Sequence, residues 1–260
     1  LETAMHKGIL VITYSAGVDD PNVHSIGVDY AEQGRVMAEW LVKEIGYKGN
    51  VLMNEGVAGT RPMLLRRNAA LEVFKKYPGI KVVAEIHGNW SSAVSQVEAT
   101  KVIAAHPKID GVWSLGGAAG VVKAMLTRGL PLVPTTGEST AGFIRMLADP
   151  KMQAKGLRGI ATADPGYDAA LALKFAVDYL EGKKIPMHYT IPLPVIYMKD
   201  LKEGTDISSG CNIFPKGMVP DDFFVQMYHP DLPLDLPGYL TGQPGEKAFE
   251  LAKKLMEKQK

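Results

Sequence analysis

The chain has 260 residues, 46% of them hydrophobic, 22% charged and 8% aromatic, with 29 Lys+Arg against 28 Asp+Glu for a formal net charge of +1. That composition excludes a disordered, collagen-like or disulfide-stapled chain. The even charge balance argues against broad nucleic-acid binding, which needs clustered cations.

The elements alternate. Gly8–Tyr14 is a near-continuous apolar, β-branched run, as expected of a strand buried on both faces. Over 31–45, Val36, Met37, Trp40, Leu41 and Ile45 recur at helical spacing, and Gly46 follows as a stop. Val51–Met53 predicts a short strand. Pro62 suits the first turn of the helix that follows, with Leu71, Val73, Phe74 and Tyr77 as its apolar positions. Pro78-Gly79 ends that helix, and 81–86 reads as the next strand. Helices are then expected over 91–105, 118–127 and 140–148, with strands at 111–114, 132–135 and 159–162. Pro165-Gly166 precedes a helix reaching Leu180, and 189–197 is extended, its two prolines making it an edge or crossover segment. Strands separated by helices of this length imply a parallel sheet with right-handed crossovers, hence an α/β doubly wound fold.

The last sixty residues differ. Residues 208–244 are rich in Pro, Asp and aromatics and lack periodicity; Phe214, Phe223, Phe224, Tyr228 and Tyr239 need a surface to bury on, so the stretch reads as an extended arm over the globular body. Residues 246–258 read as an amphipathic terminal helix. The best uncharged apolar run, Gly111–Val122, stops at Lys123, short of the ~20 apolar residues of a membrane-spanning helix. The lone Cys211 excludes an internal disulfide and any multi-cysteine metal site, and reads as a free structural thiol.

Motifs of chemistry are sparse. Gly116-Gly117-Ala118-Ala119-Gly120 opens a helix, where bare amides attract anions, but it lacks Gly-x-Gly-x-x-Gly spacing. Gly56–Thr60 lacks the lysine of a P-loop, so both read as tight turns. The histidines (His6, His24, His87, His106, His188, His229) form no helical pair, and there is no Gly-x-Ser-x-Gly elbow or clustered acid pair. No metal, cofactor or catalytic set is therefore expected.

Six stretches fall in a telling order: Gly8–Thr13; Ile26-Gly27-Val28-Asp29-Tyr30 with Gly34; Gly56–Thr60 followed by Arg67; Phe74–Ile80 with its Tyr-Pro-Gly; Ala105–Trp113; and Gly182–Pro186. In that spacing the chain, over roughly residues 1–197, resembles the type I periplasmic substrate-binding proteins that feed carbohydrate ABC importers. The resemblance implies a two-lobed α/β fold with helices on both faces of parallel sheets. Residues 29–163 would form the carboxy-terminal lobe, 1–28 and 164–193 the returning part of an incomplete amino-terminal lobe, and 194–260 the third crossing, arm and terminal helix. A lobe-sized piece, on the order of one hundred residues, would precede Leu1. It further implies an extracytoplasmic monomer without catalytic activity. A small polar ligand, such as a sugar or polyol, would be trapped by hinge closure at crossings near Val28, Ala163 and Pro194, and delivered to a membrane permease. The competing readings are the effector core of a LacI-like repressor, which shares the lobe pair but typically ends soon after the third crossing, and an α/β enzyme.

Carried over position by position, the family's ligand shell is only partly kept. The Asp-Arg usual after the first strand is Ser15-Ala16, the Asn after the hinge Asp29 is Tyr30, and the Arg of the second helix is Arg67. The aromatic after the next strand is Trp90, the Asn-Asp opening the following helix is Gly116-Gly117, and the Gly-Phe-Asp turn is Gly137-Glu138-Ser139. The hinge Gln falls on Ala163, beside Asp164. The expected ligand shell is thus Tyr14, Ser15, Tyr30, Arg67, Trp90, Gly116, Glu138 and Asp164. Arg67 offers a fork of donors, or is a surface arginine beside Arg66. Trp90 stacks on a sugar face or packs at a helix entry. Glu138 binds, or caps the helix near Thr140; Asp164 is a cap, a contact, or both. Two glycines at 116 and 117 would widen the pocket for a bulkier or less hydroxylated ligand.

Overall fold

In the computed structural model, residues 1–18, 20–106, 108–162, 166 and 168–201 are described. The expected arm, the terminal helix, Cys211 and Asp164 lie outside them. The described parts of Leu1–Asp29 and Asp164–Pro194 form one compact unit, and those of Tyr30–Ala163 and Val195–Ile213 another.

The first unit holds a three-stranded parallel sheet of β1 (Ile12–Tyr14), β2 (His24–Val28) and β8 (His188–Ile191), in the order β1-β2-β8. Helix α8 (Asp168–Leu180) packs on β1 and β2, and a short α1 (Glu2–His6) starts the chain. β1 is shorter than the run 8–14 predicts, because Gly8 has a φ of 73° and bonds back to Met5 as part of the α1 exit.

The second unit is a six-stranded sheet in the order β4-β3-β5-β6-β7-β9. Its strands are β3 (Gly49–Glu55), β4 (Ile80–His87), β5 (Gly111–Ser114), β6 (Thr135–Glu138), β7 (Gly159–Thr162) and β9 (Val195–Tyr197); all run parallel except β9, antiparallel to β7. The helices are α2 (Tyr30–Glu44), α3 (Arg61–Lys75), α4 (Ser92–Ala105), α5 (Ala118–Thr127), α6 (Ala141–Ala148) and α7 (Pro150–Ala154). This is the type I periplasmic-binding arrangement of alternating strands and helices expected above. The strand expected at 132–135 begins only at Thr135: Pro131 and Pro134 have no N–H to give a ladder, and the segment instead feeds Leu132 N–H to Lys155 O.

The chain steps from β3 to β4 on one side and then jumps back to β5 on the other. Right-handed crossovers then place α3 and α4 on opposite faces. Strand alternation follows this split. Val51 and Met53 join Met37, Leu41, Met63, Val73, Phe74 and Trp113 in one buried cluster with α2 and α3, whereas Asn54 turns to α4. Each of those side chains contributes about 1.5–3 kcal/mol by leaving water. α2 and α3 approach closely at Gly34, where a Cβ would lie 2.1 Å from the Arg66 carbonyl oxygen.

Candidate functional site

Open α/β sheets receive ligands beyond the carboxyl ends of their strands, where the direction of strand addition reverses. In the second unit that point lies between β3 and β5, and Trp90 occupies it. A Cβ on Gly56, just after β3, would lie 2.5 Å from Trp90 Cε2; one on Gly116, two residues after β5, would lie 2.7 Å from Trp90 Cδ1 and 3.0 Å from Glu138 Oε2. The ring thus lies on bare backbone, with the residue still 37% exposed. The turn that carries it is strained. Asn89 and Trp90 have φ of 52° and 55°, and Ser91 N–H donates to Gly88 O at 2.8 Å, the geometry of a type I′ turn. Asn suits such a position; tryptophan does not, and backbone held this way concentrates at functional sites.

The two glycines do not widen the site as expected. Trp90 and Glu138 flank Gly116, and a Cβ on Gly117 would meet Ser95 Oγ at 2.1 Å. Their lack of side chains lets neighbours close in. Beneath the ring is a buried polar knot. Asn54, next to last in β3, has its amide nitrogen 2.8 Å from Ser114 Oγ, 3.1 Å from Ser95 Oγ and 3.3 Å from Gly116 O. Asn54 and Ser114 are register partners on adjacent strands, so the contact follows from the ladder.

Arg66, and not Arg67, stands beside Glu138. Arg66 Nη1 donates to Glu138 Oε1 at 2.7 Å with side-chain exposures of 6% and 17%, and its guanidinium carbon sits 4.5 Å from the Tyr30 ring centre. Arg67 points to the other end of the edge, donating from Nε to Glu55 Oε1 at 2.6 Å and from Nη2 to Glu85 Oε2 at 2.5 Å. The reason is helical phase: Met63, Arg66, Ala70 and Val73 form the buried stripe of α3, and Arg67 is one step off it. Glu55 ends β3 with its side chain 2% exposed, and His87 Nδ1 lies 3.3 Å from its second oxygen. Burial, with a hydrogen bond to Glu85, raises the Glu55 pKa above the ordinary carboxyl value, against the lowering pull of Arg67.

Of the expected shell, the structure brings together Trp90, Gly116 and Glu138 directly, and Tyr30 through Arg66. Glu138 makes an ion pair, and the α6 N-cap is Thr140. Tyr14, 52% exposed, and Ser15, at a φ of 59°, end β1 in the first unit, where the Ser15 carbonyl approaches Gly27. Arg66, Asn54, Ser95, Ser114 and Glu55 lie outside the expected shell. A polar Asn-Glu closing the apolar Val51-Leu52-Met53 run was the available signal. A shallow cavity of about 520 Å³ opens at the opposite, amino edge, lined by Glu44, Lys48, Lys81, Lys108, Asp110 and Arg158 among others. It touches none of these groups. Among the described residues, no set of three His, Cys, Asp or Glu is placed to hold a metal, and no helix is long and apolar enough to cross a membrane.

The strand order, parallel but for β9, with helices on both faces, is that of the type I periplasmic-binding fold. The chain belongs to the periplasmic binding protein domain family, whose model matches residues 1–184. It is 28% identical over 200 residues to the D-allose-binding periplasmic protein of Escherichia coli, covering 71% of this chain and 62% of that one. It is 27% identical over 143 residues to a xylitol-binding protein of Mycolicibacterium smegmatis, covering 52% and 41%. The chain thus spans about three fifths and two fifths of these relatives. Among solved structures it is similar to an ABC transporter periplasmic solute-binding protein from Actinobacillus succinogenes with bound D-allose, at TM-score 0.66 and 27% identity over 76% of this chain and 71% of the other. A solute-binding protein from Thermobispora bispora matches at TM-score 0.69 and 26% identity, over 76% and 61%.

Proposed function

We propose that this protein is the extracytoplasmic solute-binding component of an ABC importer, taking a sugar or polyol without transforming it and presenting it to a membrane permease. The observation that carries the reading is Trp90, laid on Gly56 and Gly116 at the point where strand order reverses, beside the Arg66–Glu138 pair. An indole face gives a pyranose or polyol backbone an apolar surface, while adjacent polar groups bond its hydroxyls. The D-allose and xylitol named for the relatives are both neutral and polyhydroxylated, which supports the same ligand class. Capture by hinge closure, action as a monomer, and contacts from Tyr14, Ser15, Tyr30 and Asp164 belong to the same proposal.

The test is a thermal-shift screen of the full chain against sugars, polyols, sugar acids and aromatic acids. A ligand at a hundredfold excess over its Kd stabilises by about 2.7 kcal/mol. The expected hit is a neutral sugar or polyol whose shift is lost in Trp90→Ala. A panel in which only aromatic acids shift the transition would overturn the reading.

A further inference from the structure

The cavity at the amino edge lies wholly within the second unit, and its charges are unevenly matched. Lys48, Lys81, Lys108 and Arg158 line it against two carboxylates, Glu44 and Asp110. Both carboxylates are engaged: Glu44 lies 3.4 Å from Arg158, and Asp110 Oδ2 accepts the Asn50 N–H at 2.8 Å. The three lysines are exposed, and none has an ion pair among the described residues. They come from three separate places in the chain: the exit of α2, the second position of β4 and the loop before β5. A helix macrodipole accounts at most for the first, because its pull fades beyond the last turn and a strand has little net dipole. The backbone under the lysines is pinned. Gly49 N–H donates to Gly79 O at 2.9 Å, Asp110 N–H to Asn50 O at 2.8 Å, and Asn50 Nδ2 to Lys108 O at 3.0 Å. A Cβ on Gly49 would lie 2.7 Å from Asp110 Cβ, so the floor is closely packed as well. Like charges held together in a recess repel one another and focus a positive potential there. In a chain of net charge +1 that excess is local.

We propose that Lys48, Lys81 and Lys108 form a binding site for a multivalent oxyanion of the phosphate type, at the opposite edge of the sheet from Trp90. The inference stands apart from the solute-binding reading and uses none of its groups. Ammonium groups hold such anions as point charges with rotatable donors, so three flexible stems on a fixed floor suffice. A single carboxylate would leave most of the positive charge unmatched. At about 520 Å³ the cavity also takes more than one phosphate group, which favours an anion of diphosphate size or larger.

The test titrates inorganic pyrophosphate calorimetrically into the full chain, with sodium chloride at matched ionic strength as the control. The variants are Lys48→Gln, Lys81→Gln, Lys108→Gln, their triple combination, and Lys123→Gln, which lies outside the cavity. Wild type should bind pyrophosphate. Each cavity substitution should weaken that binding about threefold, the scale of one exposed ion pair, and the triple variant about thirtyfold, with Lys123→Gln at wild-type affinity. Without the anion, the melting temperature of the triple variant should stay level or rise, because repulsion is relieved. Sedimentation with phosphatidylglycerol vesicles separates the sources of the phosphate. Capture that the triple substitution abolishes assigns it to a lipid headgroup, and no capture assigns it to a free anion. No pyrophosphate binding beyond the chloride control, wild-type affinity in the triple variant, an equal loss in Lys123→Gln, or a sharply lowered melting temperature of the triple variant overturns the inference.

Discussion

Arg66 Nη1 and Glu138 Oε1, 72 positions apart in sequence, meet at 2.7 Å where the exit of β6 faces α3. A pair this buried costs more when halved than when removed, because the survivor is a charge with neither water nor partner. Glu138→Gln should destabilise the second unit by about 3 kcal/mol in urea unfolding, whereas Arg66→Met with Glu138→Leu should recover most of it. Equal losses in the single and double variants would show that the pair is not coupled.

The strained turn gives a separable outcome at position 90. A left-handed backbone costs a non-glycine residue about 1–2 kcal/mol, so Trp90→Gly should be more stable than Trp90→Ala by about that much. Both should lose sugar binding. Trp90→Phe should keep binding while abolishing the ligand-induced change in tryptophan emission, since Trp113 is fully buried and Trp40 sits on α2.

Glu55 governs a pH response. Its carboxyl pKa is raised in the folded chain, so between the ordinary value of 4.5 and the raised one the folded state holds more of this proton than the unfolded state does. Stability contributed by Glu55 is therefore complete below that window and falls as pH rises through it. Glu55→Gln should flatten this part of the stability–pH curve, measured by melting temperature from pH 4 upward, with Arg67 still held by Glu85. A curve that rises over the window in wild type and is unchanged in the variant would refute the assignment.

Asn54→Ala should unfold the edge more readily, by about 2–4 kcal/mol, because it leaves Ser95 and Ser114 without the amide that joins them. Hydrogen exchange is the sharper measurement: protection should fall first at Leu115 N–H, which donates to Asn54 O.

Periodicity made most of the second unit legible before any coordinates. Met37 and Leu41 mark the buried stripe of α2 and Val112-Trp113 the centre of a strand, since one apolar face of fixed period leaves few alternatives. The site was harder to read. The choice between Arg66 and Arg67 is a 100° rotation about a helix axis, decided by the spacing from Met63 and Ala70, which a motif match ignores. The polar knot around Asn54 joins residues 41 and 60 positions away, through the packing of α4 and through strand register, which pattern reading does not supply. Glycine told the least alone: the same bare backbone that could open a pocket instead admits Trp90 and Ser95. β2 is hard to read as a strand because Ile26-Gly27-Val28 is short and interrupted by a glycine, needed where the Ser15 carbonyl crosses it.

The antiparallel pairing of β9 with β7 imposes an order of events on the maturing chain. Thr162 must wait for Val195, and all of α8 and β8 emerges in between. Until then the flank of β7 offers unpaired amides to any passing strand. Nascent molecules stalled before that residue would be the adhesive ones, and holdase chaperones would find their grip there.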